Sequence, residues 1–205
     1  MNIFQIKTKP NGEDRTREFL GDGKFGRAEI GWGETGDLTN TSKDDIREKL
    51  AQEFGYTGQS LNTNLGTVNC FVHTVQEGDL GLVVDGDRVH GGILGPYKFD
   101  HKLLLHTRTI EWKFVVYKTD LNQHVRSFVE NRTSITKFKH PIEVAELDEY
   151  LKHSPIPLST GIPNVTVNVD ELVQKSLEIL SDEISSDERE RQVTAAIEIL
   201  RFLKK

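Results

Sequence analysis

The chain has 205 residues, of which 36% are hydrophobic, 28% charged and 8% aromatic, and its formal net charge is −6. This is the composition of one folded domain with an appendage, and it excludes wholesale disorder. No apolar run approaches the roughly 18 residues of a membrane helix, no secretory signal opens the chain, and the single cysteine, Cys70, can form neither an internal disulfide nor a thiolate zinc site. The expectation is a cytoplasmic protein with no membrane partner.

Residues 1–27 are polar and punctuated by glycine, reading as a strand followed by a loop. Within them Gly21-Asp22-Gly23-Lys24-Phe25-Gly26 has the spacing of a glycine-rich phosphate loop. No strand–helix unit follows it, so it reads as a flexible loop. Residues 28–152 alternate strand-like and helix-like patterns and make the core domain. Ser42 followed by Asp44 and Asp45 signals a helix start, Ile46, Leu50 and Phe54 recur every four residues, and Gly55 closes that helix. Thr67–Val75 is rich in β-branched residues and reads as a strand by propensity, with a short helix as the alternative. Asp79–Val84, the Asp85-Gly86-Asp87 turn and Arg88–Leu94 form a hairpin signal.

Leu103–Val116 reads as a long strand. Period-two alternation places Leu104, His106, Arg108, Ile110, Trp112 and Phe114 on one face and Leu105, Thr107, Thr109, Glu111, Lys113 and Val115 on the other. Asp120 caps a short helix carrying Val125, Phe128 and Val129, and Ser134–Phe138 is a last strand. Three of the six prolines fall in the stretch Ser154–Asn164, which reads as a linker over 153–164. Beyond it, over 165–205, two apolar stripes (Leu172, Val173, Leu177, Leu180 and Ile184, then Val193, Ala196, Ile197, Leu200 and Leu203) predict a helical hairpin. That hairpin offers a surface for a homodimer or a separate effector protein. The expected fold class is α+β: a small β-barrel decorated by short helices over 1–152, then the linker and the hairpin.

Charge is unevenly spread. From Lys98 to His140 there are nine Lys/Arg against four acids, a local excess of +5 on an acidic chain, with four histidines besides. Such a stretch can neutralise phosphates, since counterion release depends on the charges at the contact. His106, Arg108 and Trp112 share a strand face, and a polar group there is either buried with partners or opens into a pocket. Rings with an arginine and a histidine suit a flat base held by stacking and edge hydrogen bonds. Glu111-Trp112-Lys113 has the Glu-x-Lys form of metal-dependent nucleases, with Asp100 or Asp87 as the upstream carboxylate, and it is also the common form of a simple charge pair on an exposed strand face. The seven histidines show no metal spacing, and no cofactor or metal is expected.

Trp32, Glu77-Gly78-Asp79, Gly95-Pro96-Tyr97 and His106-x-Arg108-x-Ile110-x-Trp112 together resemble the PUA-like barrels of the EVE/YTH type. The likeness is greatest to those at the front of bacterial restriction proteins of the Mrr and McrB kinds, and it covers roughly residues 28–140. The resemblance implies a module that recognises nucleic acid, often a modified base in an aromatic cage, in a restriction or defence context. Carried onto this chain, it makes Trp32, Tyr97 and Trp112 the cage, with His106 and Arg108 as polar readers. It also implies a helix at Thr67–Val75. Lys98, Lys102, Lys118 and Arg126 are the residues expected to hold phosphates, of DNA rather than RNA. The two rival readings are a Mg²⁺-dependent nuclease using Asp100, Glu111 and Lys113, and a non-catalytic interaction factor acting through the tail.

Overall fold

The computed structural model describes residues 1–152; the linker and the helical hairpin expected at 153–164 and 165–205 lie outside the described residues. Five helices are found among those residues: α1 (Thr16–Leu20), α2 (Lys43–Phe54), α3 (Gly58–Asn69), α4 (Gln123–Val129) and α5 (Asp148–Lys152). α2 starts at a capping box, Ser42 Oγ accepting from the Asp45 N–H at 3.1 Å while the Asp45 carboxylate accepts from the Ser42 N–H at 2.7 Å. It stops at Gly55, whose φ of 64° is the left-handed turn that glycine adopts freely. The Thr67–Val75 segment is not a strand. Thr67 to Asn69 complete α3 and Cys70–Thr74 continue as a π-helical turn. Leu61, Leu65 and Val68 recur at helical spacing on the side packed into the core, and this pattern, begun upstream, overrides β-branched propensity.

Six strands form one sheet: β1 (Ile3–Ile6), β2 (Phe25–Ile30), β3 (Leu80–Asp85), β4 (Arg88–Asp100), β5 (Leu105–Tyr117) and β6 (Ile135–Lys137). Their order is β2-β5-β4-β3-β1-β6, antiparallel throughout except for the parallel β1–β3 pair. The class is therefore mixed α and β. The hydrogen-bonded ladder is open, with β2 and β6 at its ends, so it does not close into the expected barrel.

Both faces of β1 and β3 are buried, which explains the nearly continuous apolar runs of these two strands. Phe4, Ile6, Ile30, Val83, Leu94, Ile110 and Trp112 join α2 and α3 in one core; Ile3, Leu80, Leu82, Val89 and Phe114 join α4 in the other. Alternate strand residues feed opposite cores. The expected grouping of Trp112 with Phe114 fails at one point. Gly91 pairs with Phe114 and Gly92 with Trp112, so Lys113 is an extra residue, and this bulge turns Phe114 to the opposite core.

Candidate functional site

The β5 residues singled out by the sequence are structural members of the core. Arg108 is 3% exposed and donates to four backbone carbonyls: Phe71 at 2.9 Å, Gly95 at 2.8 Å, Val72 at 3.0 Å and Val75 at 2.8 Å. Three of these belong to the π-helical turn and its end, where carbonyls lack helical donors. Burial pushes the guanidinium down to about 10 while Asp79 pulls it back, so the group stays charged at neutrality. Trp112 is 1% exposed; its Nε1 donates to Leu20 O at 3.1 Å. A Cβ at Gly26 or Gly92 would come within 2.8 Å of the indole, so these two glycines let backbone close over the ring. Neither Arg108 nor Trp112 presents a surface to a ligand, because each is spent on neighbouring backbone.

His106 is buried as well, and its bonds run toward Trp32. The Leu38 N–H donates to Tyr97 Oη at 3.2 Å, and that hydroxyl donates to His106 Nδ1 at 2.8 Å. The remaining ring proton sits on Nε2, 3.2 Å from both Trp32 O and Thr35 Oγ1. Thr35 Oγ1 donates to the same carbonyl at 2.7 Å. Burial lowers the imidazole to about 4 and raises the Tyr97 phenol to about 12, so both are neutral at pH 7. The network ends on the carbonyl of Trp32, whose φ of 66° and ψ of 31° make a left-handed backbone that a bulky side chain rarely adopts.

Trp32 lines a cavity of about 290 Å³ with Phe54, Tyr56, Lys7, Lys9 and the turn Pro10–Gly12. Phe54 and Tyr56 stack with ring centroids 5.3 Å apart and planes 11° from parallel. Lys7 and Ser134 come from the β1/β6 end of the strand order and Glu29–Trp32 from the β2 end, so the cavity occupies the seam between the two ends of the sheet. Asn11 Oδ1 fills the place a side chain would take at Gly31, closing one wall. Glu29 forms another wall, its carboxylate fully buried and held by Arg15 Nε at 3.0 Å and Arg27 Nε at 2.6 Å. Partial burial and the neighbouring charge of Lys118 lower the Lys7 ammonium.

The expected cage is thus divided. Trp32 stands at the cavity, Tyr97 and His106 lie behind it, and Trp112 and Arg108 are sealed away. Lys98 pairs with Thr107 near the β4–β5 turn that holds Lys102, whereas Lys118 follows the far end of β5, roughly 35 Å along the strand. Arg126 Nη2 is occupied by the carbonyls of Thr119 and Leu121, both at 2.9 Å. The four phosphate candidates therefore form no single patch. Asp100 pairs with Leu105 and bonds Arg27, about 20 Å along the strand from Glu111, which pairs with Lys113, so the three nuclease candidates do not converge. Among the described residues no three His, Cys, Asp or Glu side chains cluster as a metal site. In the glycine-rich loop, Asp22 Oδ1 takes the N–H groups of Lys24 and Phe25.

Phe54, Tyr56, Lys7 and Lys9 were not identified from sequence. Phe54 reads as the last member of the α2 apolar stripe, and the lysines lie outside the basic stretch. The available signal was Tyr56, a large ring placed just beyond a helix-ending glycine.

A family model described as a domain of unknown function (DUF8426) matches residues 5–139, which takes in the whole sheet but for the first two residues of β1. No curated protein and no solved structure matches the chain.

Proposed function

The chain belongs to the DUF8426 family, and on the geometry of its cavity we propose that it is a PUA-like nucleic-acid-binding module that takes one base, modified in the biological ligand, into the cavity of Trp32, Phe54 and Tyr56. The observation that carries this reading is the convergence of three rings on one cavity with Lys7 and Lys9 among its walls. Rings offer π-faces to any base, worth roughly 1–3 kcal/mol per stacked base, while lysines attract the phosphates beside it. A cavity of about 290 Å³ sits at the lower edge of the ~300–1,000 Å³ usual for small-molecule sites, the size for one flat ring system. The positive φ of Trp32 adds support, since strained backbone of this kind gathers at binding sites. The lysines also argue against a methylated ammonium as the caged group, which they would repel. A DNA ligand and a separate effector protein remain part of the proposal.

The test is fluorescence anisotropy with methylated and unmodified oligonucleotides at two salt concentrations. Trp32→Ala and Tyr56→Ala should each weaken binding about 10- to 100-fold while the circular dichroism spectrum stays that of the parent. Wild-type affinity in both variants, or no binding by the parent to any oligonucleotide, overturns the reading.

A further inference from the structure

We infer that the groove beside β6 holds the sugar–phosphate backbone of a single strand whose base occupies the Trp32 cavity; this rests on the function proposed above and extends it. The groove measures about 770 Å³, and its walls include Asn2, Ile3, Lys137, Phe138, Lys139 and His140. Two features select its occupant.

The first is charge. Lys137 and Lys139 are exposed and have no ion pair among the described residues, and the only carboxylate lining the groove is Glu143. On a chain of net charge −6 this is a local basic surface. The second is continuity. Ser134 lines the Trp32 cavity and Thr136 already lines the groove, so one short strand joins the two sites. At about 3.3 Å per residue, Lys137 and Lys139 stand roughly 10 and 16 Å from Ser134, a span that a few nucleotides cover.

Edge lysines also guard strands against pairing with other chains. A guard needs only solvent around it. Here the lysines stand over a groove of about 770 Å³, which gives a bound strand room with its phosphates at the rim.

The experiment measures binding of single-stranded DNA and RNA of about 12 and about 3 nucleotides, each with and without a methylated base, across a salt series. The parent should bind the longer strands more tightly than the shorter. Lys137→Glu/Lys139→Glu should abolish that gain, leave the shorter strands bound as before, and flatten the slope of log K against log salt by about 1.4 for two lost contacts. Lys137→Gln/Lys139→Gln should act in the same direction without adding charge. An unchanged slope and length dependence in both double variants overturns the groove and leaves the cavity standing. Competition by polyglutamate as strong as by an oligonucleotide of equal charge assigns the groove to an acidic peptide, and the inference falls. If the parent binds neither length, the cavity reading fails and the groove with it.

Discussion

Trp112 lies within β5 and Trp32 just beyond the end of β2, and their two surroundings treat rings and charges in opposite ways. Around Trp112 the indole N–H and all the donors of Arg108 that face carbonyls end on backbone, and glycines close over the ring. At the seam that holds Trp32 the rings of Phe54 and Tyr56 border a cavity, and lysines stand beside it. A group whose partners are all internal fixes the frame, and a ring facing empty space is available to a ligand. The sharpest way to break this contrast is Arg108→Met. Removing the guanidinium orphans carbonyls of the π-helical turn in the core, and stability should fall by roughly 3–5 kcal/mol, read from the denaturant midpoint. A variant within about 0.5 kcal/mol of the parent would show that Arg108 does not clasp the turn to β5.

His106 belongs to the sealed region by burial and to the open one by its bond to Trp32. Its folded value of about 4 lies below the ordinary histidine 6.5. An unfolded chain therefore takes up a proton near pH 6.5 that the folded chain refuses until about pH 4. The stability due to a neutral His106 is complete above pH 6.5 and is lost as the pH falls toward 4. The total loss is about 3 kcal/mol, at 1.36 kcal/mol per pH unit. Denaturation of the parent and of His106→Asn at steps across this window isolates the contribution as a difference in slope. Equal slopes would mean that the imidazole titrates alike in both states.

Much of the frame was legible because its signals are local. Ser42 and Gly55 bound α2 as their capping chemistry requires, and the Asp85-Gly86-Asp87 turn joins β3 to β4. The bulge at Lys113 was not legible, because an extra strand residue is fixed by the partner strand and leaves the alternation in sequence intact. The site was half legible for the same reason. Trp32 stands out as a tryptophan between glycines, but the rings that face it follow it by more than twenty positions and meet it only through packing. Arg108 and Trp112 carried the right residue types for a base pocket. What the sequence does not display is that five carbonyls and two glycines already occupy them.

The finest test of the contrast is a residue that belongs to neither extreme. Tyr97 is not part of the cavity wall, yet its hydroxyl joins the Leu38 N–H to His106, and His106 joins Trp32. Tyr97→Phe keeps the ring and deletes one oxygen. Stability should drop by about 1 kcal/mol, since one N–H loses its acceptor and Nδ1 its donor. If the sealed network sets the left-handed backbone of Trp32, oligonucleotide affinity should also fall, by roughly 2- to 10-fold, although no atom of the cavity has changed. The loss should be absent in a Trp32→Ala background, where there is no ring to position, and a double-mutant cycle measures that coupling. Additive losses would instead make the two regions energetically separate, with Trp32 held by its own turn through Thr35 alone.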